Sequence, residues 1–168
     1  MSAMHDYYRA PDRAAATLRP DDLRAPAKPL PGAPVFDVVE TKWVDPEGSL
    51  GSLVAVIEGV PYSDDLVETV TLYPPVPGMP ATGEERPALP EDFGYEGPVI
   101  EELPVTARDA LAGVEDGRLA EVARRWTIEP LSGFHEGDDV LDLVRDLVAL
   151  ARRARKDGQS LYCRWIPG

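Results

Sequence analysis

The sequence predicts an α+β fold: a single domain in which a small mixed β-sheet, including the N- and C-terminal strands, is packed by helices. Three observations lead there. The stretch "MHDYYRA" at 4–10 is short and aromatic, as a strand is. The tail "DGQSLYCRWIPG" at 157–168 opens on a glycine turn and continues with large apolar residues on both faces, which fits a strand well covered by other elements. Between them, residues 138–156 carry the clearest amphipathic helix of the chain, expected to pack across the sheet. A chain of 168 residues is long enough to bury such a core without disulfides or a structural metal.

After the first strand, "PDRAAATLRP" offers Asp12 as an N-cap, alanines of high helix propensity and Pro20 as a stop, so a short helix follows. Residues 20–34 hold five prolines spaced too closely for regular structure and read as a connecting loop. "VFDVVETKW" at 35–43 has the β-branched and aromatic content of a strand. In "DPEGSLGSLVAVIEGV", Asp45 caps a helix, Pro46 takes its first position, Glu47 suits its positive end and Gly59 closes it. Leu50, Leu53, Val54 and Ile57 share one face of that helix. Gly48 and Gly51 weaken it by roughly 1 kcal/mol each relative to alanine, so they are expected to mark close packing against another backbone. "DLVETVTLYPP" alternates Val70 and Leu72 with Thr69, Thr71 and Tyr73, the pattern of a half-buried strand that Pro74 and Pro75 end.

Residues 74–104 read as a long acidic, proline-rich loop, with "PVIEEL" at 98–103 as a short strand near its end. Seven acids stand against the one arginine, Arg86, between Glu84 and Glu102. Two aromatics inside that negative field make Glu91, Asp92, Phe93, Tyr95 and Glu96 candidate partner-binding residues. Two helices follow, "TARDALAGV" capped by Thr106 and "DGRLAEVARRW" after Asp116, the second with Leu119, Val122, Ala123 and Trp126 on one side. "TIEPLSGFHEG" separates them from the 138–156 helix. There Asp138, Asp139, Asp142 and Asp146 crowd the front and Arg152, Arg153, Arg155 and Lys156 the back, matching the helix macrodipole at both ends. Gly158 supplies a left-handed cap and the turn into the last strand.

Charge and cysteine usage bound the function. A net charge of −13 repels phosphate backbones and anionic lipid surfaces, so no nucleic acid is expected as a partner, and a basic protein is the compatible one. The longest aliphatic run, "LVAVI" at 53–57, is far short of the roughly 20 residues that cross a bilayer, so no membrane span is expected. "MSAMHDYYRA" has neither a basic start nor an apolar stretch, and with one cysteine no internal disulfide forms, so the cytoplasm is the expected location. Abundant arginine, alanine, glycine and proline beside three lysines and no asparagine reflect a GC-rich coding bias.

Cys163 is the residue whose chemistry asks for a reading. With period two, Leu161, Cys163 and Trp165 point one way and Tyr162, Arg164 and Ile166 the other, which places the sulfur in the core rather than at a reactive site. Pairing of the first and last strands would bring His5 near Cys163, and with His135 and an acid there are enough ligands for zinc. Structural zinc sites draw at least two ligands from one short segment, however, and here each is isolated, so no metal and no cofactor are expected. The doublets Glu101–Glu102 and Asp64–Asp65 place adjacent side chains on opposite faces and make poor acid/base pairs. No nucleophile elbow, dinucleotide fingerprint or phosphate loop occurs, so no catalytic residue is assigned.

The segments "MHDYYRA", "VTARDALAGVEDGRLAEVARRW" and "LVALARRARKDGQSLYCRW" resemble the YfbM-like family of small bacterial proteins. The chain also resembles short proteins of actinobacteria. The family resemblance implies an α+β single domain and transfers no catalytic residue. The function expected is a non-enzymatic cytosolic interaction module, such as an inhibitor or immunity-type protein, that presents its acidic surface to a basic partner. The alternative is a small-molecule binder or enzyme with a pocket formed near His5, Tyr7, Tyr8 and Cys163. A structural subunit or homodimer using an exposed edge strand is the third reading.

Overall fold

The computed structural model of the chain describes residues 4–18, 36–74, 97–135 and 138–166. Strand β1 (Met4–Ala10) pairs antiparallel with β2 (Val38–Lys42) on one side and with β5 (Ser160–Trp165) on the other. β5 also pairs with β4 (Val99–Glu102), and β4 with β3 (Val70–Tyr73), giving the order β2-β1-β5-β4-β3. The first and last strands are thus neighbours, with β5 in the middle. The sheet is antiparallel at every pairing rather than mixed. The reason lies in the connections: β2 and β3 run the same way, but they occupy opposite edges and never meet.

Among the described residues five α-helices complete the fold: α1 (Arg13–Ala16), α2 (Gly51–Glu58), α3 (Val105–Ala112), α4 (Leu119–Thr127) and α5 (Val140–Lys156). α5 lies across β1, β2 and β5, α3 packs beside it, and α2 and α4 close the layer. Period two in the strands divides the sheet into two faces. Tyr7, Val39, Leu161 and Cys163 join the apolar sides of the helices in the main core. Tyr8, Ala10, Ile100 and Tyr162 form a smaller core on the other face with Phe36 and Ala16 of α1. Among the described residues no helix is long and apolar enough to cross a membrane.

Local chemistry explains the boundaries. The Asp12 carboxylate accepts from the Ala15 amide at 2.7 Å and starts α1. Asp45 accepts from the Gly48 and Ser49 amides at 2.7 and 3.1 Å, opening a widened π-type turn (Pro46–Leu50) that runs into α2. The tight neighbours of Gly48 and Gly51 prove to be side chains, the Asp45 carboxylate and the Tyr62 ring, rather than another backbone. α3 begins at Val105, because Pro104 takes the cap position and Thr106 already lies within the helix. At the end of α5 the Gly158 backbone is left-handed (φ 65°), with Gly158 N–H donating to the Arg155 carbonyl at 3.2 Å and Gln159 N–H to that of Ala154 at 2.8 Å. That double bond pattern satisfies the last carbonyls and turns the chain into β5.

The predicted 20–34 loop lies outside the described residues, and so does most of the 74–104 loop; the described part of the latter contains β4.

The arginines at the basic end of α5 bind other elements of the fold. Arg152 donates to the Ala112 and Val114 carbonyls and pairs with Asp116, and Arg155 donates to the Ala112 carbonyl, so α5 supplies the donors that the C-terminus of α3 lacks. Arg153 and Arg9 both grip Asp37, at 2.6 and 3.0 Å, and Arg9 also reaches Asp157 and Gln159. This cluster ties β1, the approach to β2, and the end of α5 together. Burial acts to raise the Asp37 pKa, but hydrogen bonds from Arg153 and Arg9 outweigh it and hold the carboxyl below its ordinary value. An acid depressed in the folded state stabilises above its unfolded pKa of about 4, and that contribution disappears as pH falls through the folded value. Asp37→Asn is therefore expected to lower the urea midpoint near neutral pH and to show a smaller further loss on acidification. Identical acid sensitivity in both proteins, read from urea titrations at each pH, would contradict this.

Candidate functional site

Tyr7 stands opposite Cys163 across the β1–β5 pairing, on the face covered by helices. Both are buried. Burial pushes the Cys163 thiol well above its ordinary pKa, the Glu101 charge adds to that, and a hydrogen bond with Tyr7 opposes it. A thiol so disposed is a packed core group, not a nucleophile. Tyr7 is likewise raised by burial, and its hydroxyl donates to the Val44 carbonyl at 2.6 Å. Tyr8 points to the opposite face, where its hydroxyl donates to the Ala16 carbonyl at 2.7 Å. The two tyrosines therefore share no wall. His5 stacks on Trp165 with ring centroids 6.0 Å apart.

Glu101 and Glu102 do part to opposite faces. Glu101 accepts from Thr69 and from the Trp165 indole, both at 2.9 Å, while Glu102 binds Arg13 of α1 at 2.9 Å. Among the described residues no group of three or more His, Cys, Asp and Glu could hold a metal ion. Glu91, Asp92, Phe93, Tyr95 and Glu96 lie outside the described residues.

Open concave surface lies elsewhere: a cleft of about 610 Å³ is lined by Val54, Glu58, Leu66, Thr106 and Asp109, and two more meet where β2 ends against the connection from α4 to α5. A cleft of about 600 Å³ is lined by Trp43, Thr127, Glu129, Pro130 and residues 132–135. A second, of about 290 Å³, is lined by residues 40–43 and 133–135 with Asp138, Asp139 and Leu143. Trp43, Gly133, Phe134 and His135 belong to both. Trp43 is 53% exposed and its backbone is left-handed, with φ 65°. For a bulky residue that conformation costs about 1–3 kcal/mol, so the surrounding structure must impose it. It is imposed from within: the kink carries the chain from β2 into fully buried Val44, held by Tyr7, and on to the Asp45 cap.

The opposing loop is fixed with equal care. The Trp126 indole N–H donates to the Ser49 carbonyl and to the Ser52 hydroxyl, each at 3.0 Å, and Ser49 Oγ donates to the Ser132 carbonyl at 2.8 Å. Phe134 packs edge-on against Trp126 with ring centroids 4.6 Å apart. Gly133, left-handed at φ 77°, brings the loop backbone against Trp43, so that a Cβ at this position would stand 3.8 Å from the Trp43 Cβ. Ile128 and Leu131 on the same connection are also exposed, Ile128 at 75%.

Four carboxylates, Glu40, Glu129, Asp138 and Asp139, line the two clefts against one lysine, Lys42. Both serines of the loop support are committed, Ser132 Oγ donating to the Thr127 carbonyl at 3.3 Å and Ser49 Oγ as described. What the surface offers is an exposed aromatic platform in a negative rim, which suits a cation with an apolar body. A comparison with protein-family models, curated proteins and solved structures finds no match to this chain.

Of the cleft residues, His135 alone enters the sequence reading as a candidate ligand, for zinc, and Trp43 carries no motif. The signals present are a tryptophan two residues before the capping Asp45 and a Gly-Phe-His run in a connection otherwise read as a separator.

Two outcomes follow from this geometry. A thiol reagent is expected to leave the native protein unlabelled and to modify Cys163 promptly once the chain is unfolded; rapid labelling of native protein would contradict its burial. Trp43→Gly is expected to change stability by between zero and a gain of about 1 kcal/mol, because glycine relieves the left-handed strain. A loss beyond about 1 kcal/mol in chemical denaturation would show that the indole's packing outweighs the strain.

Proposed function

We propose that this protein is a non-enzymatic cytosolic interaction module, of the inhibitor or immunity type, that presents an acidic surface to a basic protein partner. The Trp43 clefts are its contact centre. The observation that carries this reading is an exposed tryptophan, held in a strained backbone, with four carboxylates lining the same clefts. Interfaces concentrate their affinity in aromatic anchors ringed by polar groups, and Trp43 has that position. The overall charge of −13 favours fast, salt-sensitive association with a basic surface. The arginines at the end of α5 fit this reading, since Arg152, Arg153 and Arg155 donate to partners within the fold. The likeness to the YfbM-like family belongs to this proposal and adds no activity to it.

A small-molecule site is the second reading, favoured by the volume of about 600 Å³ of the cleft between Trp43 and the 127–135 connection. That falls within the roughly 300–1,000 Å³ typical of ligand pockets.

A photo-crosslinking residue placed at Ile128, beside the cleft, tests the primary reading in the native host. The expected product is a discrete adduct with a basic protein, reduced at high salt and absent in the Trp43→Gly background. Adducts confined to small molecules, or indifferent to both salt and Trp43, would reject it.

A further inference from the structure

We infer that the Trp43 cleft recognises an arginine side chain of the partner, its guanidinium lying on the indole and pairing with the rim carboxylates. This rests on the interaction-module reading above and names the group that is read.

The backbone gives the first reason. A left-handed position on the surface is filled at least cost by glycine, yet the chain places its bulkiest side chain there and leaves it 53% exposed. The indole therefore contributes less to folding than its size allows, which is the mark of a residue kept for contact. Its setting is also built. Gly133 packs against the Trp43 Cβ from one side, and Tyr7, through the Val44 carbonyl, fixes the chain on the other. The platform is thus oriented before any ligand arrives.

Charge gives the second reason. Glu40, Glu129, Asp138 and Asp139 line the clefts, with Lys42 the one lysine or arginine among the lining residues. Asp138 and Asp139 each direct one oxygen to a backbone N–H, those of His135 at 2.7 Å and Asp142 at 3.4 Å. A cation over the ring is consequently attracted by the ring face and by the rim together.

Shape then selects among cations. An ammonium group is best held in a box with aromatic walls on several sides, whereas the large aromatics lining these clefts are Trp43 and Phe134, and Phe134 is engaged edge-on with Trp126. One open indole face suits a flat, weakly hydrated group that stacks and presents N–H donors in its own plane to carboxylates. Guanidinium has those properties, and lysine's compact, strongly hydrated ammonium does not.

The test uses the full chain and reads the indole N–H resonances of its tryptophans, with that of Trp43 assigned by its loss in Trp43→Gly. N-acetyl-arginine amide is titrated against N-acetyl-lysine amide at matched ionic strength. The expected result is a saturable shift of the Trp43 indole and the Gly133 amide with the arginine compound, and roughly two- to fivefold weaker binding of the lysine compound. Glu129→Gln is expected to weaken arginine binding by a similar factor while the buried Trp126 indole keeps its native position, which certifies the fold. Absence of a saturable arginine shift, or equal response to lysine, overturns the inference. An Ile128 adduct with a basic protein that depends on Trp43, found together with no arginine shift, would overturn arginine recognition and leave the interaction module standing. Arginine binding without any protein adduct would support arginine recognition and count against the module.

Discussion

The indole N–H of Trp126 is a polar group in a place without water, and much of the molecule is arranged around satisfying it. Left unpaired, such a donor would cost about 1–3 kcal/mol. It is shared by the Ser49 carbonyl and the Ser52 hydroxyl, and that choice locks the end of α4 to the entrance of α2. Ser49 passes the constraint on, because its hydroxyl holds the Ser132 carbonyl and so the loop that carries Gly133 and Phe134. The geometry of the exposed cleft is therefore decided in the core, several contacts away from solvent.

A similar division of labour governs charge. The molecule is acidic by a wide margin, yet its arginines are not scattered as counterweights. Arg9 and Arg153 meet at Asp37, Arg13 fastens α1 to β4, and Arg152 and Arg155 close the end of α3. These arginines join elements of the fold, while the net charge of −13 gives the molecule a field that discriminates between partners by sign before any shape is compared.

The elements were legible in the sequence where their signals are local. The strand at 4–10, the caps Asp12 and Asp45, the stripe of α5 and the glycine turn at 158 each depend on neighbours within a few residues, and each lies where its pattern places it. The burial of Cys163 followed from a strand with large apolar residues on both faces and from the preference of free cysteine for the core. What could not be read is what separates distant segments. Antiparallel order depends on how the helices return the chain, and Thr106 lost its capping role to the preceding proline, whose ring fixes the backbone there. The cleft is the extreme case. Trp43 meets Gly133 only because two left-handed residues, far apart along the chain, turn two loops toward each other, and nothing in either segment announces the other.

The placement of β5 carries a consequence for how the protein is made. This strand is last of the five in chain order and fills the centre, bridging β1–β2 to β3–β4. Until residues 160–165 have left the ribosome, β1 and β4 lack the strand that each pairs with at the centre of the sheet. Closure is then a late insertion of a ribbon between halves already synthesised, a long-range step of the kind that proceeds slowly. During that interval the newborn protein exposes adhesive margins, and chaperone demand would be set by the central strand rather than by the acidic exterior.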